Sequence, residues 1–298
     1  MKELVVISGK GGTGKTSMVA SFAALAERAA LADCDVDAAD LHLVLEPRII
    51  RRQDFSGGKR AHIRDDHCNA CGRCLQVCRF GAIIADGLGR GRARRKFRID
   101  PIACEGCGVC AWFCPKKAIE FGPAVNGEWY VSETRHGPMI HAQLGVAQEN
   151  SGKLVNTVRT EARRLAEERG LSMVIIDGSP GIGCPVIASI TGASLVLIVT
   201  EPTLSGQHDM ERVAELTRHF EIPAMVCVNK WDLNPEIAGE IESLALGQGI
   251  QVAGRVRYDR AVTRAQIHRK AVVEDGASPC ADDIRAVWVK VRDLLSKD

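Results

Sequence analysis

Eight cysteines between positions 68 and 114 fall into two runs at a constant offset of 36 positions. The first run is Cys68, Cys71, Cys74 and Cys78; the second is Cys104, Cys107, Cys110 and Cys114. Both read C-x2-C-x2-C-x3-C, the spacing that ligates cubane iron–sulfur clusters through thiolates. The flanks repeat as well, because Ala82-Ile83 returns as Ala118-Ile119. A duplication of this kind predicts two similar halves about an approximate two-fold axis, with two [4Fe-4S] clusters between them. Where such runs hold two clusters, the fourth cysteine of each run serves the other cluster. One cluster is therefore expected on Cys68, Cys71, Cys74 and Cys114, and the other on Cys104, Cys107, Cys110 and Cys78. Arg79 replaces the proline that usually follows the fourth cysteine, whereas Pro115 is present in the second run. Structural zinc is the alternative that C-x2-C pairs leave open, although zinc sites rarely use three cysteines at successive x2 spacing.

The remaining cysteines, Cys34, Cys184, Cys227 and Cys280, are scattered and form no further C-x2-C pair. No window has the long uncharged apolar run of a membrane span, and MKELVVISGK reads as a strand feeding a loop, not as a signal peptide. The expectation is a cytoplasmic protein whose thiols stay reduced. With 298 residues and 46% apolar content but 4% aromatics, the core must be built from Val, Ile, Leu and Ala, which suits a buried parallel sheet. The net charge of +2 conceals an asymmetry. Residues 48–122 hold 16 Lys or Arg against 7 Asp or Glu, whereas the rest of the chain is net acidic. Two clusters would cancel about +4 of that excess. The remainder concentrates in Arg90, Arg92, Arg94, Arg95, Lys96 and Arg98, read as a solvated hairpin or a docking face for an acidic redox protein. No aromatics interleave with these cations, so the stretch lacks the stacking platforms of a nucleic-acid site.

The apolar run Leu4–Ser8 predicts a buried strand, and residues 15–30, rich in Ala and Leu, predict a helix. Between them Gly9, Lys10, Gly11, Gly12, Thr13, Gly14, Lys15 and Thr16 match G-x4-G-K-[ST]. Glycines in such a loop turn backbone N–H groups toward phosphate oxygens; Lys15 reaches the β and γ phosphates, and the Thr16 hydroxyl ligates Mg²⁺. The following helix adds its positive end. Further strands are expected at residues 172–177, 195–200 and 224–229, with helices at 153–169 and 208–220. Such alternation predicts an α/β fold, a mainly parallel sheet covered by helices on both faces. The pattern breaks after Leu45-Glu46-Pro47, so the domain expectation is 1–50 and 122–298 for the nucleotide domain and 51–121 for an inserted α+β domain. Residues 128–145 read as a hairpin returning the chain.

The second lysine, Lys10, makes the loop GKGGTGKT, which resembles the deviant Walker A family of MinD, ParA, Mrp-type carriers and the nitrogenase iron protein. The resemblance implies a P-loop ATPase whose Lys10 crosses a dimer interface to the partner's phosphates. It implies that Asp35, in Asp33-Cys34-Asp35-Val36-Asp37, orients the attacking water, so that Lys10, Lys15 and Asp35 are the catalytic set. Asp37 and Asp40 read as helix-capping acids. Asp177, ending Val174-Ile175-Ile176-Asp177, would hold Mg²⁺ through water, and Gly178-Ser179-Pro180-Gly181 would form a second switch. Asn229-Lys230-Trp231-Asp232 resembles NKxD, which reads guanine in GTPases; in this family Asn229 and Asp232 are placed near adenine, so the resemblance implies ATP. With its eight-cysteine insertion, SPGIGCP and EPTLSG, nearly the whole chain is similar to MinD-superfamily ATPases containing an inserted two-cluster ferredoxin domain. Arg257 stands where proline is common.

Three functions follow from these expectations. The first is an ATP-hydrolysing iron–sulfur protein that couples nucleotide state to electron transfer, working as a homodimer or as a heterodimer with a related ATPase. The second is a cluster carrier of the Mrp type, which would hold its cluster between subunits on a C-x2-C pair that this chain lacks. The third is a positioning ATPase of the MinD or ParA class. It draws on the stripe Ile284, Val287, Trp288, Val291, Leu294 and Leu295, flanked by Arg285, Lys290, Arg292 and Lys297, which reads either as a membrane-facing helix or as one packed on the sheet. Packing on the sheet is the reading the stripe favours. Cys184 reads as a packed small residue, and Asn150 to Lys153 as a helix start capped by Ser151.

Overall fold

The computed structural model describes residues 1–86, 96–145 and 151–297; Arg90, Arg92, Arg94, Arg95 and Asn150 lie outside them, as does the side chain of Ser151. The chain forms two compact units, one of Met1–Gln53, Trp129–Gln143 and Ser151–Asp298, the other of Asp54–Glu128 and Leu144–Asn150. The strands in chain order are β1 (Lys2–Ser8), β2 (Ala29–Asp33), β3 (Arg48–Phe55), β4 (Gly58–Ile63), β5 (Ile83–Asp86), β6 (Lys96–Ile99) and β7 (Ile119–Ala124). They continue with β8 (Gly127–Thr134), β9 (Gly137–Leu144), β10 (Met173–Pro180), β11 (Leu195–Thr200), β12 (Ala224–Asn229) and β13 (Gln251–Val256).

In the first unit the sheet runs β13-β12-β11-β1-β10-β2-β9-β8-β3. Every pairing from β13 to β9 is parallel, and the turn Arg135-His136 joins β8 to β9. The helices are α1 (Lys15–Leu25), α2 (Leu41–Leu45), α3 (Arg73–Val77), α4 (Val109–Trp112) and α5 (Ser151–Glu168), followed by α6 (Cys184–Ile190), α7 (Leu204–His219), α8 (Pro235–Gly247), α9 (Arg260–Ile267) and α10 (Pro279–Leu295). Successive strand residues point to opposite faces. Leu4, Val6, Leu31, Ile175 and Leu197 therefore enter one core with α1, α2, α9 and α10. The alternate residues Val5, Ile7, Ile176 and Ile198 are equally buried on the other face, which α5, α6 and α7 cover. Burial on both faces is why these strands read as unbroken apolar runs.

The expected helix over 15–30 ends early. Ala26 is already extended, and Ala29–Asp33 is a strand paired with β10 from Ala29↔Met173 to Asp33↔Asp177. Ala and Leu serve either state, and insertion between two strands buries all five residues. The apolar stripe of α10 lies in the core. Ile284, Val287, Trp288, Val291 and Leu295 are buried there, Leu294 packs against them, and the Trp288 ring lies 4.9 Å from that of Phe22. The stripe is thus spent on packing, and no helix among the described residues is long and apolar enough to cross a membrane. Trp288→Ala should cost about 3–5 kcal/mol by opening a cavity; urea unfolding reads this, and a loss below about 1 kcal/mol would contradict the packing.

The second unit realises the cysteine duplication as strand exchange. β4 and β6 open the two repeats, and β5 and β7 close them. β4 pairs antiparallel with β7, and β5 with β6, so each repeat's first strand pairs with the other's last. The register obeys the same symmetry. Ile63↔Ile119 and Ala61↔Phe121 in one sheet become Ile99↔Ile83 and Phe97↔Ala85 in the other. Gly72 and Gly108, which precede α3 and α4, both take the left-handed conformation, with φ of 77° and 76°.

Candidate functional site

The glycine loop sits where β1 ends and α1 begins. Ser8 Oγ donates to the Lys10 carbonyl at 2.6 Å, and Asn229 Nδ2 donates to the Thr13 carbonyl at 2.7 Å. Gly14 is left-handed at φ 94°, and a Cβ there would collide with Asn229; glycine is required on both counts. The Thr13 hydroxyl is buried without a partner.

Lys15 is almost fully buried, with Nζ 3.6 Å from Asp35 Oδ2. Burial pushes the Asp35 carboxyl up, and Lys15 pulls it back down. Asp177 ends the apolar part of β10, wholly buried, and neither carboxylate oxygen has a well-formed hydrogen bond. Its pKa is raised to about 6, burial outweighing Lys15 and the neighbouring Thr16 hydroxyl, which both hold it down. Such an orphaned acid beside a threonine and a phosphate loop has the donor chemistry of a hydrated divalent cation.

Two functional neighbours escaped the sequence reading. Asp33 accepts from the amides of Asp35 at 3.1 Å and Leu41 at 3.2 Å. The acidic turn does cap α2, then, but through Asp33; Asp40 sits at the N-cap position without a side-chain bond, and Asp37 is exposed. Burial, and after it the charge of Asp177, push the Asp33 carboxyl well up. Only its place at the strand end, as the first acid of D-C-D, hinted at this. The second is Glu201, which opens the EPTLSG stretch. It pairs with Lys10 at 3.5 Å and with Lys230, while Lys10 also donates to Ser205 at 3.1 Å. Lys230 further donates to the Gly12 carbonyl at 3.1 Å.

Hydrogen bonds tie the segment after β2 to the end of β10. Cys34 N–H donates to the Asp177 carbonyl at 2.8 Å, and Ser179 Oγ donates to the Cys34 carbonyl at 2.6 Å. Gly181 N–H returns to the Ser8 carbonyl at 2.8 Å. On the other flank, β9 places His141 opposite Asp33. Its ring lies 2.9 Å from the Ser132 hydroxyl and stacks on Tyr130; burial, with His42 nearby, lowers its pKa to about 4.

A cavity of about 250 Å³ opens beside the loop, lined by Gly12, Gly14, Met18, Asn229, Tyr258 and Cys280 among others. Asn229 thus faces it, whereas Asp232 is not in its lining and instead accepts from the Tyr258 amide at 2.7 Å. Arg257 lines the cavity and pairs with Asp283 at 2.7 Å. Cys184, expected to be packed, is exposed at the start of α6, because the turn at Gly183 sends this first helical residue outward. Cys34, Cys227 and Cys280 are buried.

In the second unit Cys68, Cys71, Cys74 and Cys114 line one small cavity. Ala70 N–H donates to Cys68 Sγ at 3.4 Å, and Ala118 N–H to Cys114 Sγ at 3.3 Å. Cys104, Cys107 and Cys110 lie together in the second run, with Cys74 also beside Cys110, and Cys78 packs against the same core. Among the described residues no three His, Cys, Asp or Glu side chains converge on a single-ion site; thiolates around a cubane stand farther apart than that.

Comparison with known proteins agrees with both units. A protein of Methanocaldococcus jannaschii, described as uncharacterized, is 31% identical over 297 residues, covering 98% of this chain and 97% of that protein. The pyruvate synthase subunit PorD of Thermotoga maritima is 38% identical over 64 residues, 22% of this chain and 59% of that subunit. Ferredoxin-3 of a Nostoc species is 30% identical over 76 residues, 22% of this chain and 78% of that ferredoxin. In fold the chain is similar to the MinD cell division protein in its complex with MinC from Aquifex aeolicus, with a TM-score of 0.58 at 16% identity over 98% of this chain and 96% of that one. The model of the CobQ/CobB/MinD/ParA nucleotide binding domain matches residues 4–272. The chain therefore belongs to the CobQ/CobB/MinD/ParA nucleotide-binding family, as a MinD-like P-loop protein with an inserted ferredoxin-like region.

Proposed function

We propose that this protein hydrolyses MgATP and uses the nucleotide state to control electron transfer through two [4Fe-4S] clusters. The observation that carries the reading is the path of the chain at the acid cluster. Asp33 caps α2, and α2 leads through β3 into the ferredoxin-like unit; the chain returns through β8 to β9, which pairs with β2 at Asp33↔His141. On the way out and on the way back, therefore, a single strand, β3 or β8, separates Asp54–Glu128 from an element that touches Asp33 or pairs beside it.

In this reading the loop amides and Lys15 neutralise phosphate charge, and Asp35 orients the attacking water, since phosphoryl transfer needs little beyond positioning and charge stabilisation. Thr16 and Asp177 would hold Mg²⁺, the latter through water. Asn229 would contact the base. Cys68, Cys71, Cys74 and Cys114 would hold one cluster, and Cys104, Cys107, Cys110 and Cys78 the other; bound clusters supply one-electron chemistry. Lys10 would leave Glu201 and Ser205 to reach phosphates across a dimer of this chain, or of this chain with a related ATPase. The buried positions of Cys34, Cys227 and Cys280 offer no exposed pair for a cluster shared between subunits, which disfavours the carrier reading.

The test is anaerobic purification with iron analysis and EPR, with and without MgATP. About eight irons per chain and a nucleotide-dependent change in spectrum or midpoint potential are expected. Spectra and potentials indifferent to MgATP would count against the coupling, and zinc in place of iron would remove the redox reading. Lys15→Ala should abolish turnover. Lys10→Ala should lose hydrolysis while still binding one nucleotide per chain; full turnover in that variant would sink the role in trans.

A further inference from the structure

The two halves of the cysteine unit share backbone and register but not surface. Beside the first run the exposed positions include Asp66, Arg73 and Gln76, with Leu75 and Phe80 partly exposed at 42% and 49%. The symmetry-equivalent positions beside the second are Ile102, Val109 and Trp112, exposed by 66%, 38% and 86%. Asp66, Arg73 and Gln76 show that the fold accepts polar residues at all three places. The apolar set is therefore not required by the core, and an indole left almost wholly in water is costly without a partner. Cys107, between Ile102 and Val109, is also exposed.

Lysines flank this run. Lys116 and Lys117 follow it directly, and Glu105 is the one acid between residues 102 and 117. Lys59 stands beside it from β4: a Cβ on Gly106 would collide with the Lys59 carbonyl. Lys59 Nζ lies 5.5 Å from the Phe121 ring, which in turn packs on Gly108.

We infer that this face is the docking surface for an acidic redox protein, and that electrons enter or leave through the cluster of the second run. The inference rests on the electron-transfer reading above and assigns its partner and its port. An apolar centre flanked by lysines fits a partner whose redox centre lies under an apolar patch with an acidic rim, because the charges steer the encounter and the indole supplies the anchor. One electron would pass per encounter, the reduced partner being oxidised and a cluster held by the second run reduced, with no bond formed or broken.

The test uses the intact, cluster-loaded protein and a purified acidic ferredoxin as probe. The variant Ile102→Asp, Val109→Arg, Trp112→Gln copies the first repeat onto the second and leaves net charge unchanged. Calorimetry should show at least about tenfold weaker binding of the ferredoxin, and stopped-flow mixing a similar fall in the transfer rate. Iron content, direct reduction by dithionite and ATP turnover should stay as in the wild type. Wild-type binding should also weaken as salt is raised. Equal affinity in variant and wild type overturns the assignment. So does wild-type protein that dithionite reduces but the acidic ferredoxin neither binds nor reduces. A nucleotide-free dimer that the variant splits would mean that a second copy covers this face, which also overturns it. Clusters that dithionite itself cannot reduce would instead overturn the electron-transfer reading.

Discussion

Replacing Asp177 with asparagine should make the nucleotide-free protein more stable while slowing MgATP hydrolysis on the order of a hundredfold. Both effects have one cause. The carboxylate is fully buried with neither oxygen well bonded, and its pKa stands near 6 instead of 3.8. A carboxyl whose folded-state pKa lies above its unfolded value opposes folding at pH 7, where it must ionise in a site that resists charge. That opposition fades as pH falls through about 6 toward 4, so the wild-type nucleotide unit should gain stability on mild acidification. A rise of about two units corresponds to roughly 2–3 kcal/mol at pH 7, an order-of-magnitude figure for so buried a group. Asparagine removes the charge and should flatten this part of the profile. The hydrolysis loss is scaled to a group that holds its metal through water. Thermal unfolding between about pH 7.5 and 5.5, without nucleotide and under anaerobic conditions, reads the first effect. A variant that melts below the wild type at pH 7, or that keeps the same slope, would show that Asp177 is not the strained group. Magnesium should reverse the ranking in the presence of ATP, because only the wild type gains from binding it.

Stripping iron from the protein should unfold the cysteine unit and leave the nucleotide unit intact. The core of the cysteine unit is small: Ala61, Ile63, Ile83, Phe97 and Ile119 with the buried Cys74 and Cys110, and Cys68, Cys78, Cys104 and Cys114 packed against them. Its helices are five and four residues long, too short to persist alone. Units of this size with so little apolar volume depend on staples, and ligation free energy then becomes folding free energy. Anaerobic chelation should expose residues 54–128 to proteolysis while nucleotide binding persists. Undiminished protection would mean that the strand exchange alone holds the unit together. Cys114→Ala sharpens the result. If the four cysteines around one cavity share one cluster, iron falls by about half, and alkylation marks Cys68, Cys71 and Cys74. Alkylation of Cys104, Cys107 and Cys110 instead would mean that each run ligates its own cluster.

Contiguous features were legible because their chemistry is local. The loop from Gly9 to Thr16 needs only backbone freedom and one lysine in sequence, and the cysteine spacing needs only short arcs of chain. The unbroken apolar runs of β11 and β12 reach the sequence unchanged, since burial on both faces leaves no alternation to blur them. Legibility failed where an assignment depended on something distant. The residues at 29 and 30 read as helix because nothing nearby shows that β10 and β9 will flank them. Glu201 meets Lys10 across most of a domain, and Cys184 looks packed until the turn at Gly183 points it outward. Asp33 is hidden in another way: its carboxylate works on backbone amides, which carry no sequence signature.

The sequence by itself determined the duplication, the glycine-loop and cysteine motifs and the order in which they occur, because motif spacing and loop composition follow from bond lengths and backbone sterics. Only the tertiary structure decided how the repeats exchange strands, that the apolar stripe of α10 is core, and that Asp33, Asp35, Asp177 and Lys15 form one buried group. It also showed that the two symmetric halves differ in surface, at Trp112 above all. These outcomes rest on burial and pairing between residues far apart in the chain, and such energies exist only once the chain has closed on itself.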